Sequence, residues 1–361
     1  MNIKSAIKAI LPYSVVINMN NKRALNSIQD YYSTTLVPFT EVDSNYRYIV
    51  SCQGFGYSGS GVISDLLREY EKVDVQGFID TEGSLGQACA TDEEIDFIRY
   101  TGGILDFERY VNSKNIFHND AALHLLISNF AQSSLCQKLP ECRILAKQFV
   151  SNLISGICEC ENQSAYNTIL QSEENRYSSI FYMRNMSVQE YRQLSKRFLI
   201  HFFNALHHHD SQVLVLDQLF TDFEFDNSRN LEYIPNLKTI VVYRDPRDVF
   251  AFANKEKVSW LPYKDVDTFI TMYKNCLSKL DFDSSDYLVI RFEEIVTNKY
   301  DYWVRQVENY LGLDSSNHIR PKSFFDPQSS CKSIGRWKNF PELNGSFAKI
   351  RMALPMLCYN N

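Results

Sequence analysis

Four glycines and two serines fall within the eight residues Gly54-Phe-Gly-Tyr-Ser-Gly-Ser-Gly61. Glycine tolerates positive φ and close backbone approach to a ligand. Gly54, Gly56, Gly59 and Gly61 can therefore turn several N–H groups toward one point, and Ser58 and Ser60 add hydroxyl donors. A nest of this kind takes a phosphate or a sulfate; a purely structural tight turn is the alternative. The spacing Gly54-x4-Gly59 fits a P-loop, but Ser60 stands where the lysine that holds β- and γ-phosphates belongs. ATP hydrolysis and kinase chemistry are disfavoured on that ground. A hydrolase nucleophile elbow fails as well, because Gly56-x-Ser58-x-Ser60 lacks the closing glycine.

The elements around this turn read as alternating strands and helices. Tyr46 to Gln53 is a β-rich run entering the glycines, and Val62, Ile63, Leu66, Leu67 and Tyr70 follow with helical spacing. Strand, glycine turn and helix together open a parallel α/β sheet. Residues 119–138 read as helix, and Cys142 to Ala146 as a short buried strand. A long amphipathic helix is expected over 187–209, started by Ser187 with Glu190 three residues on, a capping box. Gln212 to Leu216 and Leu237 to Tyr243 are continuous apolar runs of the kind found in strands covered on both faces. Asp245-Pro246 opens the next helix, with proline in its first turn. Tyr287 to Arg291 is a further strand, followed by helix to about Leu311. The fold class is α/β.

Composition narrows the function classes. The chain has 361 residues, 45% hydrophobic and 22% charged, enough to bury a large core without metals or disulfides. A net charge of −6 argues against a general nucleic-acid binder. Nine cysteines, an odd number without a CxxC pair, suit a reducing, cytoplasmic setting in which thiols serve as small buried hydrophobes. His207-His208-His209 has no ligand-spaced partners and reads as a polar helix end rather than a zinc site. No apolar stretch approaches the roughly 20 residues needed to span a bilayer. The apolar start with Lys4 and Lys8, broken by Pro12, is expected to be a packing helix or loose arm, at most a weak membrane-surface helix.

The segment Thr239-Ile-Val-Val-Tyr-Arg244-Asp-Pro-Arg247-Asp248 closely resembles the 3′-phosphate-binding segment of sulfotransferases that use 3′-phosphoadenosine 5′-phosphosulfate (PAPS). An arginine at a strand's end beside a helix N-terminus can grip a phosphate through two parallel hydrogen bonds. Asp248 suits the helix dipole and could orient an arginine, whereas an exposed ion pair accounts for Arg247. The glycine turn is similar to the family's 5′-phosphosulfate loop, Tyr287 to Ile295 and Val307 to Leu313 to its late strand and helix, and Ser333-Ile-Gly-Arg336-Trp-Lys338 to the segment that closes over the nucleotide. These motifs run in matching order over about residues 46–340. The resemblance implies a P-loop NTPase-like three-layer fold, a central parallel sheet flanked by helices, with a sulfotransferase domain over 46–345 between an N-terminal arm (1–45) and a C-terminal tail (346–361). It implies PAPS as cosubstrate, no metal, and Gly56, Tyr57, Ser58, Gly59, Ser60, Gly61, Arg244, Arg336 and Lys338 as the residues that bind it.

In the family's glycan enzymes a Lys-Glu pair precedes aromatic residues, and Glu93-Glu94-Ile-Asp-Phe97 is similar. The resemblance thus implies Glu94 as the base that takes the acceptor's proton and a saccharide or glycoconjugate as acceptor. Asp92, Glu93, Asp96 and Glu82 are rivals, and His118 is a further candidate base because other branches use histidine; an acidic solvated helix start is the plain alternative. Two departures stand out. Tyr57 replaces the usual cation of the loop, and Phe252 replaces a serine eight residues after Arg244. Lys147, at the end of the expected 142–146 strand, is a candidate substitute cation. Losing one charge-stabilising donor can lower turnover about 100- to 1000-fold, so a binder of the product nucleotide PAP, of PAPS or of a glycan that does not transfer is the alternative reading, with a P-loop kinase behind it.

Overall fold

The computed structural model describes residues 37–76, 103–111, 113, 116–132, 136, 139–159, 179–207, 210–217, 219, 227–258, 261–278, 280–282 and 284–359. In chain order these form β1 (Tyr48–Gly54), α1 (Gly61–Leu67), β2 (Val73–Gln76), α2 (Gly103–Val111), α3 (Ile116–Gln132), α4 (Pro140–Leu153), β3 (Ile154–Glu159), β4 (Ser179–Met183) and α5 (Val188–Ala205). There follow β5 (Val213–Asp217), α6 (Asn227–Tyr233), β6 (Leu237–Tyr243), α7 (Pro246–Glu256), α8 (Val266–Leu277), β7 (Tyr287–Arg291), α9 (Phe292–Ile295), α10 (Tyr300–Leu311) and α11 (Asn344–Ala353). The described residues divide into two compact units, one from 37–43 and 103–205, the other from 44–76 and 206–359.

The second unit is built on a five-stranded sheet of order β2-β5-β1-β6-β7, parallel throughout. Parallel strands covered on both faces need apolar side chains pointing both ways, and β6 supplies them. Ile240 and Val242 pack with Val50, Cys52, α1 and α10 on one face. Val241 between them packs with α7, α8 and α11 on the other. This is the three-layer, P-loop-like α/β arrangement expected from the sequence. The residues read as a tail carry α11, whose Phe347 and Ile350 are buried, and Cys358 beyond it is buried too. Burial pushes the thiols of Cys142 and Cys276 up to about 12, as suits small apolar fillers.

The first unit holds α2 to α5 and the antiparallel pair β3–β4. The expected capping box is formed: the Ser187 N–H donates to Glu190 Oε2 at 2.6 Å, and the Glu190 N–H to Ser187 Oγ at 3.1 Å. The short strand expected over 142–146 is not formed. Those residues lie in α4, where Cys142, Ala146, Phe149, Val150 and Leu153 are buried at helical spacing and Pro140 sits in the first turn. Lys147 therefore lies on a helix of this unit and not at a strand end, which removes the ground for casting it as the substitute cation. Among the described residues no helix is long and apolar enough to cross a membrane, and no three His, Cys, Asp or Glu converge as a metal set.

Gly54, the last residue of β1, has no room for a side chain. A Cβ there would lie 2.1 Å from Ser58 Oγ and 2.7 Å from the Val242 carbonyl oxygen, whereas one at Gly61 would meet only Asp217 Oδ2, at 3.8 Å. Gly54→Ala is expected to cost about 1–3 kcal/mol through overpacking, and Gly61→Ala to be neutral or stabilising by up to about 1 kcal/mol. Urea unfolding midpoints check the contrast; equal midpoints would contradict it.

Candidate anion-binding site

The glycine turn and Arg244 leave the same edge of the sheet. β1 and β6 are neighbours in parallel register, Gly54 opposite Val242, so residues 55–60 and Arg244 emerge at adjacent carboxyl ends. In open α/β sheets ligands bind at that edge. β7 ends beside them, with Arg291 opposite Tyr243, and delivers Phe292 and Glu293 to the same place.

The turn is closed by bonds from the Ser58 N–H to the Phe55 carbonyl at 2.8 Å, from Val62 to Gly59 at 3.2 Å and from Ile63 to Ser60 at 3.0 Å. The amides of Gly56, Gly59 and Gly61 take no part in these bonds. Of the four glycines that permit positive φ, Gly59 (94°) adopts it, and so does Tyr57 (65°). A non-glycine residue in the left-handed region is strained and marks a conformation its surroundings enforce. The Tyr57 ring is packed on Phe252 of α7, centroids 4.5 Å apart. The two residues at which the sequence departs from the expected pattern are thus in contact with each other. Ser58 is buried, and its Oγ has no hydrogen-bond partner.

Phe292 links the turn to Arg244. A Cβ on Gly59 would meet the Phe292 ring at 2.5 Å, and the Arg244 guanidinium lies 4.7 Å from the centroid of the same ring. The two candidate anion-binding groups are therefore separated by a single aromatic side chain. Arg244 is largely buried; it donates through Nη2 to the Ser333 carbonyl and lies 3.8 Å from Asp248 Oδ2, while its Nε is buried without a partner. Burial pulls its pKa down; Asp248 and Glu293 oppose that pull, and Arg336 adds to it. A guanidinium stays charged under such conditions, so this one is a desolvated, incompletely compensated cation that an anion would satisfy.

Asp248 stands in the first helical turn within 3.8 Å of Arg244 Nη2, as its position suggested, and has a further role. It is buried and accepts the Gly335 N–H at 2.8 Å and the Trp337 N–H at 2.9 Å, fixing the turn that carries Arg336 and Lys338. Gly335 makes that turn at a φ of 69°. Arg247 is not in an exposed ion pair. It is buried against Asp245, Nη2 to Oδ2 2.6 Å, donates to the Tyr359 carbonyl at 2.8 Å and lies 4.3 Å from the centre of the Trp337 ring. Arg336 and Lys338 are themselves exposed, with Arg336 near enough to Arg244 to act on its ionisation.

The structure thus brings together Gly56, Tyr57, Ser58, Gly59, Ser60, Gly61, Arg244 and Arg336, with Lys338 on the same short turn as Arg336. Glu94 and its rivals Glu82, Asp92, Glu93 and Asp96 lie outside the described residues. His118 is on α3 of the first unit, its side chain outside the described residues. Sequence reasoning gave no role to Phe292 and Glu293; the signal was their place directly after a strand, within the Tyr287 to Ile295 segment that the resemblance covers. Ser58 Oγ and Arg244 Nε are buried polar donors lacking partners, with the Phe292 ring packed between Gly59 and Arg244, and donors of this kind suit an anionic ligand.

Among the solved structures similar to this chain are three sulfotransferases. They are sulfotransferase STF9 from Mycobacterium avium (12% identity, 94% of this chain and 84% of that chain covered, TM-score 0.35), sulfotransferase STF1 from Mycobacterium tuberculosis H37Rv (11%, 88% and 81%, TM-score 0.33), and the sulfotransferase domain from the curacin biosynthetic pathway (12%, 89% and 99%, TM-score 0.36). No protein-family model matches the chain, and no curated protein matches it.

Asp248→Ala removes both acceptors from the 335–337 turn. Stability is expected to fall by about 1–3 kcal/mol, and hydrogen exchange at the Gly335 and Trp337 amides to accelerate. Unchanged protection of those two amides would contradict the role assigned to Asp248.

Proposed function

We propose that this chain is a PAPS-dependent sulfotransferase acting on a hydroxyl or amine of a carbohydrate acceptor, in the cytoplasm and without a metal. The observation that carries the reading is the juxtaposition of the glycine turn and Arg244 across Phe292. Two anion sites one side chain apart suit a single ligand with phosphates at both ends, and a nucleotide with 3′ and 5′ groups is such a ligand. Residues 56–61 would hold the 5′-phosphosulfate, Arg244 the 3′-phosphate, and Arg336 and Lys338 would close over it.

In the transfer, the acceptor oxygen or nitrogen forms a bond to sulfur as the bond from sulfur to the bridging phosphate oxygen breaks. The electron pair of that bond leaves with PAP. The acceptor's proton passes to a base, for which Glu94 is proposed first and His118 second. Sulfuryl transfer resembles phosphoryl transfer in its loose in-line displacement, so positioning and charge stabilisation supply most of the rate. The backbone N–H groups of the turn and the Ser58 and Ser60 hydroxyls would stabilise the leaving phosphate.

A second reading has one specific observation behind it. Tyr57 and Phe252 pack together where a cation and a hydroxyl were expected, so a protein that binds the nucleotide without transferring sulfate is the alternative.

Arg244→Ala should weaken PAP binding about 10- to 100-fold, the worth of a charged hydrogen-bonding contact; unaltered affinity in calorimetry would remove the assignment. Glu94→Gln should leave PAP affinity intact and abolish most radiolabelled sulfate transfer from PAPS to a panel of saccharides. Full activity would rule Glu94 out as the base, and wild-type protein that binds PAP yet transfers to no member of the panel would favour the second reading.

A further inference from the structure

Beside Arg244 sits a carboxyl group that the transfer reaction does not use. Glu293 is fully buried. Its Oε1 accepts the Asp245 N–H at 2.8 Å, and its Oε2 is buried with no hydrogen-bond partner. It directly follows Phe292, on whose ring the Arg244 guanidinium rests, so the chain ties the carboxyl group to the cation's seat. The ionisable groups around it come from four elements: Arg244 after β6, Asp245 at the start of α7, Tyr273 from α8 and Arg291 from the end of β7. Arg291 is committed elsewhere, donating to Tyr243 Oη at 3.0 Å and to the Met356 carbonyl at 2.9 Å. Among the described residues no lysine or arginine forms an ion pair with Glu293.

We propose that capture of an anionic nucleotide by Arg244 is coupled to uptake of one proton by Glu293, a coupling that rests on the nucleotide-binding reading above. The Arg244 charge and the Glu293 carboxylate favour one another from the ligand side, beside Arg291, which also favours the carboxylate, and Asp245, which opposes it. A phosphate on Arg244 cancels the guanidinium's field and adds negative charge of its own, which favours the neutral acid. The proton comes from solvent and goes to Oε2, the oxygen without a partner; Oε1 keeps the Asp245 N–H, and no covalent bond of the nucleotide changes. Burial already pushes the Glu293 carboxyl up to about 7, despite the Asp245 and Glu293 backbone amides and Arg291, which favour its charge. It is thus poised to change state when a neighbouring charge changes.

The sign follows directly. The complex binds more protons than the free protein, so affinity falls as pH rises above about 7, by at most about tenfold per pH unit. The second ionisation of a phosphate monoester lies near pH 6, so between pH 7.5 and 8.5 the ligand is already fully charged and contributes little. Calorimetric titration with PAP at pH 8, in two buffers of different ionisation enthalpy, counts the protons taken up. The expected result is a net uptake of less than one proton in the wild type and none in Glu293→Gln, with the variant's affinity flat from pH 7.5 to 8.5 while the wild type's falls. Binding of PAP without proton uptake by the wild type overturns the coupling whether or not the variant folds. Uptake that persists in a folded Glu293→Gln also overturns it. Failure of the wild type to bind PAP overturns the sulfotransferase reading itself, and the coupling with it.

Discussion

The site depends on the register of β1 against β6. Gly54 pairs with Val242, so the two strands end level and release the glycine turn and Arg244 at one edge. A slip of one residue would move one group about 3.3 Å along the sheet and turn every β6 side chain to the opposite face. The register is held by what lies on the two faces, since Ile240 and Val242 are committed to one core and Val241 to the other. β7 completes the arrangement by setting Phe292 against both Gly59 and Arg244.

Around this edge the polar groups form a buried network whose charges are shared unequally. Asp245 holds Arg247 and the Tyr359 amide, and Asp248 holds two amides of the 335–337 turn. Glu293 holds the Asp245 amide. Arg244 keeps its buried Nε unmet and pairs with Asp248 at 3.8 Å, and Ser58 Oγ at the same edge is buried and unmet too. Buried unsatisfied polar atoms are rare in folded proteins and call for an explanation; an incoming phosphate or sulfate supplies one. Tyr57 and Phe252 give the turn an aromatic pair in place of a cation; under the proposed function, neutralising charge there would fall to backbone amides and the two serines.

Much of the edge was legible because the signals are local. The apolar runs of β5 and β6, the strand–glycine–helix sequence at β1, and the proline after Asp245 all have short-range physical causes, and each forms where the pattern placed it. The 142–146 segment misled because five apolar-rich residues fit a strand or a helix equally well; only the burial of Phe149, Val150 and Leu153 beyond it settles the period. The contacts of Asp248 to the 335–337 turn and of Arg247 to Tyr359 were not legible, since those partners lie 87, 89 and 112 residues away. Phe292 and Glu293 lie in the Tyr287 to Ile295 segment that the resemblance covers, but their places beside Gly59, Arg244 and Asp245 are set by neighbouring strands and were not legible.

A crystal structure with PAP tests the central claim most directly. The account predicts one nucleotide spanning the edge, its 5′-phosphate within hydrogen-bond distance of the amides of residues 56–61 and its 3′-phosphate on the Arg244 guanidinium. A bound nucleotide that leaves Arg244 on the Ser333 carbonyl, or whose phosphates lie away from the glycine turn, would contradict it.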